Sequence, residues 1–276
     1  MISRVSPLLG VSWWCTALGR PWTWEWIPYP GVWIATAIPI VLYLWSVVRH
    51  PGPIDRRRLV QFMSGVTMFW AASDWPLGTL GAGYLASAHM LQFLFYTLGA
   101  APLMLLGTPD WLARRVTDRM RLQRVTVWLG SSPVTCGVVY NLILSGALAP
   151  RLVDVLRRNQ LGSFAMDALS LASGLVLWLP LLSPLPEGRV QSTWARMVYL
   201  FVTTGVISII PASFLTFTTT PVYAVYELAP RIGTLTASED LQMAGVIMKI
   251  GTIPVVWTTM GVQWFRWAKQ EAPGIR

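Results

Sequence analysis

The chain has 276 residues, of which 54% are hydrophobic and only 12% charged, and its formal net charge is +9. Soluble domains carry about 25% charged residues, so long apolar blocks with so little charge exclude an ordinary soluble domain and indicate an integral membrane protein. In such a chain the positive charge calls for a topological explanation before a nucleic-acid one.

The first apolar stretch, Val5–Leu18, is too short to cross a bilayer. Together with "PWTWEWIPYP" it reads as a Trp-rich segment, residues 1–30, lying in the membrane interface. No small-x-small cleavage site follows it, which argues against a signal peptide. About seven later segments are long enough for a core of ~30 Å at ~1.5 Å per residue. They are Gly31–Val48, Leu59–Ala72, Leu80–Leu106, Val125–Ala149, Leu161–Leu182, Trp194–Phe217 and Leu241–Trp267. The second reaches span length only by continuing through Asp74 and Trp75 to about Leu80. The expected fold class is therefore all-α: a polytopic membrane helix bundle over residues 31–267, followed by a cytoplasmic tail, residues 268–276. The expected location is the bacterial plasma membrane.

Basic residues set the expected orientation. Arg49, Arg56–Arg58, the run Arg114–Arg124, Arg189, Arg196, Arg266 and Lys269 fall on one side. The opposite side holds fewer, among them Arg20, Arg151, Arg157, Arg158 and Arg231. The first side is thus cytoplasmic, with the N-terminus outside and the C-terminus inside. Tryptophans at both ends of the spans fit interfacial anchoring. Orientation and anionic lipid account for the charge, and no nucleic-acid partner is expected. The loop "RRVTDRMRLQR" reads as a solvated cytoplasmic connection, with an amphipathic lipid-binding element as the alternative.

Ionisable groups inside spans are costly, about 2.5–3.5 kcal/mol each on insertion scales, so they face the bundle interior and pair. In this topology Asp74, His89, Asp167 and Lys249 fall in the outer half of the bilayer. Helical spacing puts His89, Gln92 and Tyr96 on one stripe, Ser163, Asp167 and Ser170 on another, and Gln242, Gly245 and Lys249 on a third. The expected polar cluster is Asp74, His89, Gln92, Asp167, Gln242 and Lys249, with Asp167 and Lys249 as an ion pair. His89 is one of only two histidines. With Met90, Met243 or Met248 it is a candidate Cu(I) site, although methionine also fills packed helices and a hydrogen-bonded core histidine is the plainer reading. His50 lies in a loop at the other face, so no bis-histidine haem forms within the chain. The distant Cys15 and Cys136 lack metal or redox spacing. There is no HExxH, GxSxG or P-loop motif, and no enzyme activity is expected.

Several stretches carry a family resemblance: "SDWPLGTLGAGYLASAHMLQ", "APLMLLG", "SGLVLWLPLLSPLP", "TTPVYAVYE" and "DLQMAGVIMK". In this order and spacing the sequence resembles the CtaG-like bacterial cytochrome c oxidase assembly factors, a seven-span family. The resemblance implies a role in haem-copper oxidase biogenesis, around copper delivery, with oxidase subunits as partners. The chain departs from the family pattern at Phe93, Leu148, Ser163 and Asp167, where the family has histidines, and at Lys249, where it has tryptophan. These departures suggest a metal-handling centre replaced by a charge pair. Three functions follow as expectations: an assembly factor with or without copper, a resident non-catalytic subunit of a respiratory or other energy-transducing complex, and an ion pathway. The last is disfavoured because no discontinuous span is evident in the sequence.

Overall fold

The computed structural model describes residues 12–271, and among these every regular element is helical. Part of the Val5–Leu18 stretch therefore lies outside the described residues. Helix α1 runs Pro30–Val48, and its first-turn proline costs no hydrogen bond there. Helix α2 spans Arg56–Ser73, and the Asp55 carboxylate accepts from the amides of Arg57 and Arg58 at its start. It does not continue to Leu80 as expected. Pro76 has no N–H and disfavours helix in the residue before it, so α2 stops at Asp74 and a separate helix α3, Leu77–Gly83, begins. The expected span Leu80–Leu106 is likewise divided. Extended backbone at Leu85 separates α3 from α4, Ala86–Gly107.

Helix α4 contains a π-helical stretch, Phe95–Ala100. Within it the Thr97 carbonyl accepts the Trp178 indole N–H at 2.9 Å. Helix α5 is Asp110–Arg119, and α6, Gln123–Ser131, meets α7, Pro133–Ala147, at a bend of 101°. The expected continuous span Val125–Ala149 is thus broken at Ser132–Pro133, where the proline removes a donor. The chain does contain a discontinuous apolar segment. Short helix α8, Pro150–Leu156, leads into α9, Gln160–Leu182, whose N-cap Asn159 accepts from the Gly162 amide. After a 3₁₀ turn at Pro186–Gly188 come α10, Thr193–Phe217, the single turn α11, Ala224–Glu227, and α12, Ala237–Glu271.

Among the described residues five helices (α1, α4, α9, α10 and α12) are long and apolar enough to cross a membrane, or six if the bent α6–α7 pair forms one crossing. Helix α2 has 18 residues but opens with three arginines. Helix α4 is central, packed against α2, α9 and α12. Glycines permit the closest approaches. A Cβ at Gly174 of α9 would stand 2.6 Å from Thr97 Cα, and one at Gly107 of α4 would stand 2.3 Å from the Phe62 amide nitrogen. At the N-terminus of α4, Asp240 of α12 accepts from the amides of Ala86 at 2.6 Å and Ser87 at 3.2 Å and from the Ser87 hydroxyl. This carboxylate satisfies donors that the helix itself leaves open.

Two outcomes test the packing. Gly174→Ala destabilises the protein by about 1–3 kcal/mol, because neither backbone can move aside; a lowered thermal midpoint in detergent measures it. Helix α5 is held to the 3₁₀ turn by two hydrogen bonds from Arg114 to Glu187, at 2.6 and 2.9 Å. This bonding holds the Glu187 carboxyl below its usual range. The pair's contribution is complete above the pH where a free glutamate ionises, about 4.3, and disappears as pH falls through the depressed value. Protection of the α5 amides, taken relative to the intrinsic exchange rate at each pH, therefore falls only below the ordinary glutamate range, whereas E187Q is less protected at neutral pH and shows no such step.

Candidate functional site

The most polar interior point of the molecule is organised by Arg157, which the sequence alone assigns to an outer loop. Arg157 follows α8 directly, and its side chain is fully buried. On α8 it shares a face with Val153, one turn earlier and also fully buried. That face turns inward and takes the guanidinium with it. Seven residues into α9, Asp167 projects from the same interior stripe as Ser163 and Ser170. His89 projects from the first turns of α4.

Arg157 Nη2 lies 2.8 Å from His89 Nδ1 and 2.9 Å from Asp167 Oδ1. The other carboxylate oxygen, Oδ2, accepts the Trp14 indole N–H at 2.9 Å. The Arg157 carbonyl accepts the Thr16 hydroxyl at 2.7 Å and the Ala17 amide at 3.1 Å. Arg157 therefore ties α4, α9 and the extended segment around Trp14–Ala17 together. That segment is not wholly at an interface, since Trp14 and Cys15 are fully buried while Trp24 and Trp26 are exposed. A second chain of hydrogen bonds runs beside the first. Gln92 Nε2 donates to the Ala72 carbonyl at 2.8 Å and to Tyr96 Oη at 3.2 Å, Tyr96 bonds Ser73 at 2.9 Å, and the Cys15 thiol donates to the Ser73 carbonyl at 3.2 Å.

The chemistry of the three central groups is fixed by donor count. A guanidinium carries only donors. His89 Nδ1 must therefore accept, so its lone pair is occupied, the ring proton sits on Nε2 and the imidazole is neutral. Arg157 and Asp167 balance each other's charge, and Arg157 Nε and Nη1 and the Ser163 hydroxyl have no partner among the described residues.

The expected six-residue cluster does not form as one site. His89 and Asp167 are brought together, but by Arg157. The expected Asp167–Lys249 ion pair is replaced by Asp167–Arg157, and the Lys249 ammonium instead lies 4.8 Å from the Phe217 ring centre. Asp74 belongs to a separate place, accepting the Trp33 indole at 2.8 Å and the Trp75 amide at 2.9 Å. Gln242 donates to the Thr218 carbonyl at 3.0 Å, away from Arg157. Gln92 belongs to the neighbouring Tyr96–Ser73 chain. Asp240, which the sequence places only at the mouth of a span, serves as the cap of α4.

The candidate copper ligands do not fit a metal together. The only lone pair on the His89 ring is engaged by a cation, which also repels any cation approaching that nitrogen. Met90 and Met248 are buried in the core, whereas Met243 is 46% exposed. Among the described residues no three His, Cys, Asp or Glu side chains converge as a metal site. Phe93 and Leu148, where the resemblance places histidines, are buried in the apolar core.

Asp167→Asn leaves Arg157 as a buried cation without its countercharge, a loss of about 3–5 kcal/mol. The double replacement Arg157→Met with Asp167→Leu removes both charges and costs less than Asp167→Asn alone. Thermal unfolding of the two variants in the same detergent distinguishes them.

No curated protein and no solved structure matches the chain at a significant level. Residues 41–270, which contain α2 to α10, both His89 and Asp167 and nearly all of α12, match the family described as cytochrome c oxidase caa3 assembly factor (Caa3_CtaG). The matched region covers most of the chain, and the protein belongs to this cytochrome c oxidase assembly factor family.

Proposed function

We propose that the protein assists cytochrome c oxidase assembly as a membrane-embedded chaperone for oxidase subunits, and that it does not hand over copper from His89. The observation that carries this reading is the 2.8 Å contact between Arg157 Nη2 and His89 Nδ1. An imidazole used as a hydrogen-bond acceptor by a guanidinium is a structural group, and softness of donors counts for nothing where the lone pair is taken. The polar node then serves to fix the relative positions of α4, α9 and the Trp14–Ala17 segment. Outward apolar faces, such as Ile34, Ile38, Val41 and Leu42 on α1, remain for lipid and for partner helices.

Within this reading the chain crosses the bacterial plasma membrane about seven times, with the N-terminus outside. Helix α2 provides one crossing, and α7 provides another while α6 turns along the surface. The role is non-catalytic: the node contains no activated nucleophile, and its one imidazole is held in place by hydrogen bonding. A resident subunit of a respiratory complex uses the same faces and differs in permanence.

The test combines copper analysis with oxidase assembly. His89→Gln keeps an acceptor for Arg157 but removes the imidazole. The expected result is unchanged copper per folded protein and unchanged assembly of spectroscopically normal oxidase. Copper bound to the native protein and lost in folded His89→Gln overturns the reading. Co-purification with the mature oxidase in near-equal amounts establishes the resident subunit instead.

A further inference from the structure

We propose that the α5–α6 hairpin, residues 110–131, is a binding surface for the headgroups of anionic phospholipids. Helix α5 docks on the bundle through Leu112 and Ala113, which are buried. The stripe that begins at Leu112 continues at i+4 and i+8 with Val116 and Met120, which are exposed by 46% and 61%. The apolar face of α5 thus runs off the protein instead of ending there. Beyond the turn, Leu122, Val125 and Trp128 are exposed as well.

Basic residues border this strip. Arg115 and Arg119 stand one turn apart beside Val116 and Met120, Arg121 makes the turn with positive φ (58°), and Arg124 opens α6. None of the four takes part in an ion pair among the described residues. The acidic groups of the hairpin are Asp110, which pairs with Arg58, and Asp118. The surface is therefore strongly positive.

Apolar side chains interleaved with arginines define an interfacial element, with side chains entering the acyl boundary and guanidinium groups remaining at phosphate level. Its position agrees. Only two residues separate the hairpin from the end of α4 at Gly107. Its second arm meets α7 at 101°, so it lies across the direction of that helix. Soluble polyanions match the charge but leave Val116, Met120 and Trp128 in water. Guanidinium groups bond phosphates bidentately, and each basic residue near an anionic surface contributes about 1 kcal/mol, or about fivefold in affinity.

Purified full-length protein, stripped of lipid in detergent, is titrated with phosphatidylglycerol or phosphatidylcholine, and retained lipid is counted by native mass spectrometry. Phosphatidylglycerol is retained preferentially, and hydrogen exchange across residues 110–131 slows with it and not with phosphatidylcholine. Each Arg→Gln change among Arg115, Arg119, Arg121 and Arg124 weakens retention about fivefold. The double variant V116S and M120S also weakens retention at constant charge. Equal retention of the two lipids by the native protein, or undiminished retention by the four-arginine variant, overturns the proposal. So does full retention by V116S/M120S together with displacement of the lipid by heparin, which assigns the surface to a soluble polyanion. The exchange measurement on the unmutated protein decides the matter if a variant does not fold.

Discussion

A single buried cation sets the terms for the rest of the structure. A guanidinium withdrawn from water is tolerable only when a carboxylate and further acceptors meet it, and those acceptors have to come from somewhere. Here they come from two separate helices. Asp167 supplies the charge, His89 supplies a neutral acceptor, and the arginine's own carbonyl recruits Thr16 and Ala17. The N-terminal parts of α4 and α9 are consequently held at one distance, and Trp14 is drawn in to satisfy the second carboxylate oxygen. Apolar packing between helices has little direction of its own in a membrane, where lipid tails compete on equal terms. Hydrogen bonds of this kind provide the direction.

The same logic bears on what His89 can hold. A ligand imidazole needs a free lone pair and a second group to orient it. His89 has its lone pair turned to a cation. Phe93, one turn further along α4, and Leu148 are apolar core. What the site presents is a polar lock joining α4, α9 and the Trp14–Ala17 segment.

Length and hydropathy make much of the architecture readable in advance. Helices α1, α9 and α10 begin and end within a few residues of where the apolar runs do, because a bilayer imposes length directly on sequence. Two breaks were written in proline and passed over. Pro76 ends α2, and Pro133 turns α6 away from α7. The inward stripes of His89 and of Asp167 were legible from spacing, but their partner was not. Lys249 looked eligible because it lies within a span, whereas Arg157 looked like one of several loop arginines. Only the fold of α8 shows that Arg157 shares Val153's face, and a seven-residue helix is too short for periodicity to reveal this. Charge bias reports which side of a membrane a loop occupies, not whether one of its side chains turns back into the protein.

The Trp14–Ala17 segment has a consequence for the order of events during biosynthesis. It leaves the ribosome well before two of the groups that hold it, Arg157 and Asp167, which lie 141 and 153 residues further along from Thr16 and Trp14. Until then its bonds to Arg157 and Asp167 stay unmade, although apolar helices such as α1 and α4 have already been synthesised. The strap therefore completes late, and its completion coincides with neutralisation of the arginine, so buried residues made early serve as a clasp on helices made long after them.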